Sequence, residues 1–256
     1  RRSGRERKCV SLTRSTKKWP DGTHGSREKT DRAEIKTGDR LNKLADMCRL
    51  ETLEQNERWF LNRALCDALL PLPIVLIPLV ECTKVQEIVP LCSGLLLPGG
   101  NDALPCYYGE QTDGFSQYYD APMDLWELTV LDAFVKAKKP VLGICRGMQM
   151  IQLYHGGALE AQFDVLHHQQ DHLHPIHLSA DSALRRLMQD GQLVNSFHHQ
   201  RIVRLHPCLR VDAVTADGSI EAFHHESLPV YGVQWHPERM RDDRILPYFV
   251  SLLSAA

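Results

Sequence analysis

The chain has 256 residues, 43% of them apolar and 24% charged, with a formal net charge of −2. That is globular composition with length for one large domain or two small ones, and it excludes a fibrous or wholly disordered polymer. The longest apolar run, Leu69 to Val80, is broken by Pro71, Pro73 and Pro78. It is well short of the roughly 20 residues that cross a bilayer, so no membrane partner is expected.

The N-terminus is basic: residues 1–40 carry thirteen Lys and Arg against six Asp and Glu. Such an arm can touch nucleic acid or an anionic surface, but a charge block of this kind is more often a solvated extension, and nucleic acid is not expected as a partner. No apolar segment of the secretory type follows it. The eight cysteines are scattered through apolar stretches without a C-x-x-C pair. That pattern fits free thiols in a reducing cytoplasm and leaves one available as a nucleophile.

Along the chain, Cys9 to Thr13 reads as a short strand within a basic, polar segment, residues 1–50; residues 51–256 read as one domain. Leu53, Phe60, Leu61, Ala64 and Ala68 predict a helix from Glu51 to Leu69, stopped by Pro71. Ile74–Val80 is a buried strand, Lys84–Ile88 a weak helix, and Gly94–Leu97 a strand running into Pro98-Gly99-Gly100. Pro122–Ala137 is a strong amphipathic helix, capped at Asp120 or Ala121, with Leu125, Leu128, Leu131 and Phe134 as its apolar stripe. Pro140–Ile144 is a strand and Arg146–Tyr154 a helix. Short strands follow at Pro175–Leu178, Ile202–Leu205, Leu209–Ala213, Ile220–His224 and Val230–Trp235, before a closing helix over Asp242–Leu253. Strand and helix alternate through the first two thirds, which predicts an α/β fold: a mainly parallel central sheet flanked by helices.

The most informative stretch is Pro140-Val-Leu-Gly-Ile-Cys145-Arg-Gly-Met-Gln149. An apolar strand enters G-x-C-x-G and leaves directly as a helix, the sulfur counterpart of the G-x-S-x-G nucleophile elbow. So sharp a turn crowds its neighbours, and Gly143 and Gly147 relieve the crowding. The thiol falls at the carboxyl end of the sheet and at a helix N-terminus, which favours thiolate. A nucleophile needs a base and an orienting group. Gly232-Val-Gln-Trp-His236-Pro-Glu238 offers both: in extended chain His236 and Glu238 project to one side, one ring nitrogen facing Cys145 and the other Glu238.

These stretches, with Leu95-Leu-Leu-Pro-Gly-Gly-Asn-Asp102 and Val194-Asn-Ser-Phe-His-His-Gln200, resemble the class I glutamine amidotransferase family over residues 51–253. Within it the chain looks most like the stand-alone γ-glutamyl-γ-aminobutyrate hydrolases. The resemblance implies a flavodoxin-like architecture, Cys145 as nucleophile, His236 as acid/base and Glu238 as its orienter. It implies an oxyanion hole from the backbone N–H groups of Gly100 and Arg146, and substrate contacts from Gly99, Gln149, Ser196, Phe197 and His198. No metal or organic cofactor is implied. The implied reaction is hydrolysis of a small γ-glutamyl amide through a γ-glutamyl thioester. The alternatives are a γ-glutamyl-CDP-amidate hydrolase and a glutaminase subunit that feeds a separate synthase, the one protein partner considered besides a homodimer.

A histidine-rich tract, His167 to His177, places five histidines and Asp171 in one stretch. Without helical H-x-x-x-H placement and an acid it is read as a loop beside the cleft, where it could meet substrate, rather than a metal site.

Overall fold

In this computed structural model the described residues are 42–53, 56–81, 83–109, 119–160 and 172–254. All of them lie in one of the chain's two compact units, Ile35–Ala256; the other, Arg1–Glu34, is outside the described residues, as is the strand expected at Cys9.

The elements are β1 (Asn42–Met47), β2 (Arg49–Leu53), β3 (Asn56–Phe60), α1 (Arg63–Leu69), β4 (Ile74–Leu79), α2 (Val85–Ile88), β5 (Gly94–Leu97), α3 (Ala121–Lys136), β6 (Val141–Ile144) and α4 (Arg146–Tyr154). They continue with β7 (Ala158–Glu160), β8 (His172–Pro175), β9 (His177–Leu178), β10 (Leu193–Ser196), β11 (Arg201–Arg204), β12 (Leu209–Val214), β13 (Ile220–His225), β14 (Val230–Val233) and α5 (Ile245–Leu252). Eight strands form the central sheet in the order β4-β1-β5-β6-β14-β13-β12-β9. From β4 to β14 the pairing is parallel; the β14–β13, β13–β12 and β12–β9 pairs are antiparallel.

Alternation along the strands divides the core. Ala45, Met47, Leu95 and Leu97 pack with Phe134 of α3 and Ile151 of α4, whereas Leu44 and Leu96 pack with Leu65 of α1 and Phe249 of α5. Helices therefore cover both faces, as the near-continuous burial of parallel strands requires.

Three expectations are corrected. β1 is hydrogen-bonded between β4 and β5, so the sheet begins before residue 51. Its sequence is broken by Lys43 and Asp46, which hides a buried strand from any search for apolar runs. The helix expected from Glu51 is instead the β2–β3 hairpin followed by the seven-residue α1, which starts where the Asn62 side chain accepts a hydrogen bond from the Ala64 N–H at 2.9 Å. On α3, Asp120 caps as expected, but the buried face is Met123, Trp126, Val130, Leu131 and Phe134, and Leu125 is 62% exposed. Asp124 and Glu127 are buried on this helix as well, while of the expected stripe Leu131 and Phe134 do face the core.

Candidate active site

The β6–α4 junction has the geometry its sequence demands. Cys145 adopts φ 51° and ψ −110°, a strained conformation of a kind found where function requires it and costing ~1–3 kcal/mol. Its N–H donates to the Val233 carbonyl of β14 at 2.8 Å. A Cβ at Gly143 would stand 2.5 Å from the Gly147 carbonyl, and one at Gly147 would stand 2.0 Å from the Leu97 carbonyl oxygen. Either substitution would have to push the strand and the helix apart.

His236 lies three residues past the end of β14 and sits beside the elbow. Its Nδ1 is 2.6 Å from Glu238 Oε1. Glu238 reaches it from a 3-10 turn, Pro237–Arg239, and not from the extended chain expected; His236 itself stays extended and caps that turn. Burial opposes charge on His236, but a hydrogen bond and the charge of Cys145, together with Glu238, hold its pKa up at about 10. Gly99 lies against both groups: a Cβ there would be 2.7 Å from His236 Cε1 and 3.6 Å from Cys145 Cβ. Gly99, Gly100, Arg146, His236 and Glu238 open onto a cavity of about 870 Å³, walled farther out by residues such as Phe60, Tyr119 and Met123.

The other anticipated contacts lie deeper. Gln149, Ser196 and His198 are 3%, 0% and 4% exposed, and none of them lines that cavity. Gln149 Nε2 faces the Gln200 carbonyl at 3.4 Å and Gln234 Oε1 at 3.3 Å. His198 Nδ1 is 2.9 Å from the Gln200 carbonyl, and its Nε2 is 3.5 Å from Glu221. Phe197 packs edge-on against His236 at 5.5 Å, with the Arg239 guanidinium 4.5 Å over its ring.

Several residues at the site escape a reading by motif. Asn195 exchanges two 2.8 Å hydrogen bonds with the backbone of His236, fixing the histidine to the segment that ends β10. His199 bonds Asp102 at 2.9 Å, tying the same segment to the turn after β5. Asp46, at the end of β1, is fully buried, and burial lifts its carboxyl to about 8, against Arg49 and with the help of Glu238. Arg49, Asp124, Glu127 and Arg146 form a largely buried charge network, with Arg49, Asp124 and Arg146 in the cavity wall. Asn195, His199, Asp102 and Arg146 had a signal, since they lie inside the matched motifs; Asp46, Arg49, Asp124 and Glu127 lie outside them and had none.

The histidine-rich tract does not converge where it is described. His174 is 3.5 Å from Glu221 and His177 is 3.8 Å from Asp190, while residues 161–171 lie outside the described residues. Candidate metal-ligand atoms of His155, Cys208 and His225 do come within 4.8 Å of one another. His225 Nδ1, however, accepts the Ser227 and Leu228 N–H groups at 3.1 Å. In a neutral ring that arrangement puts the proton on Nε2 and leaves it no lone pair for an ion.

Comparison with known proteins gives the fold and the family. A Thermoplasma acidophilum structure, provisionally named a GMP synthase subunit, superposes with a TM-score of 0.62 at 17% identity, over 85% of this chain and 96% of that one. The glutamine amidotransferase-like protein YvdE of Lactococcus lactis is 31% identical over 73% of this chain and 86% of its own length. The γ-glutamyl-γ-aminobutyrate hydrolase PuuD of Escherichia coli is 31% identical over 62% of this chain and 69% of its own. Fold and relatives together define a glutamine amidotransferase-like, cysteine-type amide hydrolase with the class I architecture. The peptidase C26 family model matches residues 48–238, and the chain belongs to that family. Among the described residues no helix is long and apolar enough to cross a membrane.

Proposed function

We propose that the protein hydrolyses the γ-glutamyl amide bond of a small γ-glutamyl compound of the γ-glutamyl-γ-aminobutyrate kind, with Cys145, His236 and Glu238 as its catalytic triad. The observation that carries this reading is the pairing of His236 with Glu238 at 2.6 Å on one side and with Cys145 on the other. Such a pair sets an acid/base and its orienting carboxylate beside the sulfur.

Cys145 sulfur attacks the γ-carbonyl carbon, and the oxyanion is met by the N–H groups of Gly100 and Arg146, each worth ~3 kcal/mol in the transition state. His236 gives its proton to the departing nitrogen as the C–N bond breaks, leaving a γ-glutamyl thioester and a free amine. The now neutral His236 takes a proton from water. The resulting hydroxide attacks the thioester, the C–S bond breaks, and glutamate and the original ion pair are restored. Glu238 orients the imidazole throughout.

Two features favour an organic amine over ammonia as the leaving group. The cavity of about 870 Å³ is far larger than ammonia needs. Arg239, in its wall, suits an amine that carries a carboxylate, as γ-aminobutyrate does. The hydrolase name of the E. coli relative supports the same substrate class.

The test is glutamate release from γ-glutamyl-γ-aminobutyrate, glutamine and a γ-glutamyl nucleotide amidate, by the parent protein and by Cys145→Ala. Release from the first, abolished in the variant, is the expected result. Turnover of glutamine alone would favour a glutaminase subunit, and turnover of the amidate alone the nucleotide hydrolase. Release that survives in Cys145→Ala would refute the triad.

A further inference from the structure

A buried network stands directly behind the two backbone donors assigned to the oxyanion hole. Asp124 and Glu127, three residues apart on α3, face inward. Arg146, the first residue of α4, pairs through its guanidinium with both of them. Glu127 also accepts from Arg49 Nη1 at 2.9 Å, and the two arginines meet on the same oxygen, Oε2. Arg49 completes the circuit: its Nε donates to the Gly99 carbonyl at 2.8 Å and its Nη2 to the Pro98 carbonyl.

The consequence follows from peptide geometry. The Gly99 carbonyl and the Gly100 N–H belong to one planar trans unit and point in opposite directions. An arginine that grips the carbonyl therefore fixes the heading of the N–H. Rotating the unit would break the Arg49 bond and swing the donor away. A side chain at residue 100 would collide with this grip, since a Cβ there would stand 2.8 Å from Arg49 Nε. On the other side, the Arg146 side chain anchors the residue whose own N–H is the second donor. Four formal charges, two of each sign, balance within the cluster, so it sits in the interior without a surplus.

We propose that Arg49 and Glu127 are positioning residues for the oxyanion hole: Glu127 couples the Arg146 and Arg49 guanidiniums, and Arg49 sets the peptide that presents the Gly100 N–H. Arg49 also stands in the cavity wall, but the role assigned to both is to place the donors and not to bond the reacting atoms. The proposal rests on the triad reading above, so its test must separate the two.

The probe is glutarate semialdehyde, the γ-aldehyde corresponding to glutamate without the α-amine that would close it into a cyclic imine; its carbonyl carbon takes the Cys145 sulfur to form a hemithioacetal with an oxygen in the oxyanion position. Iodoacetamide is the control, because displacement of iodide from its methylene carbon creates no such oxygen. In Arg49→Lys, one ammonium cannot span two carbonyls and a carboxylate. Aldehyde affinity and kcat should each fall ~100-fold, the usual cost of an oxyanion donor. KM and the rate of iodoacetamide alkylation should stay within about twofold. Glu127→Gln, which leaves the grip on the carbonyls but weakens the coupling, serves as the second variant and should show the same split at about tenfold. Equal loss of aldehyde binding and alkylation would mean a merely structural role, and no change in either would mean no role; both overturn the proposal. A parent protein that reacts with iodoacetamide but binds no γ-aldehyde and cleaves no γ-glutamyl amide would instead overturn the functional reading.

Discussion

Two buried glutamates in this molecule, each fully enclosed, are stabilised in different ways. Burial works against the charge of Glu127, yet Arg146 and Arg49 hold its carboxyl below the ordinary value. Burial also opposes the charge of Glu221, and it is His174 and His198 that bring it down to about 2. Glu127 is thus fastened by guanidiniums from β2 and α4, and Glu221, on β13, by imidazoles from β8 and from the turn after β10. Asp46 is the third case, a buried carboxyl lifted to about 8 with neither oxygen hydrogen-bonded among the described residues.

The comparison breaks first at Glu127. Removing it by Glu127→Ala leaves Arg146 with Asp124 and takes from Arg49 its paired carboxylate, and chemical denaturation should show a loss of about 3–5 kcal/mol, with little dependence on pH between 6 and 9. A loss below about 1 kcal/mol would mean that the arginines find other partners.

Asp46→Asn should act in the opposite direction. A carboxyl whose folded value is raised contributes stability that is full below its unfolded value near 4 and is lost as pH rises through about 8. The asparagine variant lacks this loss. Its advantage over the parent in melting experiments should open between pH 4 and pH 8 and reach ~5 kcal/mol. A constant difference across that range would show that Asp46 is charged throughout.

Glu221→Gln sharpens the contrast on the acid side. Because its folded value is depressed to about 2, Glu221 contributes stability above its unfolded value near 4.5 and loses it as pH falls through about 2. Parent and variant should differ by ~2–3 kcal/mol at pH 6 and converge toward pH 2. Convergence toward high pH instead would reverse the assignment.

The smallest effect belongs to the corrected face of α3. Leu125→Ala, at a residue 62% exposed, should change stability by less than about 0.5 kcal/mol. Leu131→Ala, at a fully buried one, should cost about 2–5 kcal/mol.

Local sequence carried much of this molecule. The strand over Gly94–Leu97 and the helix over Arg146–Tyr154 are bounded where their sequences place them, because each is flanked by residues that terminate or turn a chain. The glycines around Cys145 announced a turn whose crowding is visible in the structure. β1 was hidden because a parallel strand buried on both faces need not alternate, and Asp46 interrupts its apolar run. The hairpin at Arg49–Phe60 was mistaken for helix because its apolar spacing also fits a helical period.

The sequence by itself determined the elbow at Cys145 and the pairing of His236 with Glu238. Both are short-range: a turn of five residues and two side chains two positions apart. Only the tertiary structure decided which charges stand behind them. Arg49 meets Glu127 across 78 positions and Gly99 across 50, through parallel strands and a helix whose crossovers separate neighbours in the chain. An arginine's partner is set by where the backbone returns, and that is a property of the packed sheet, not of any stretch of residues beside it.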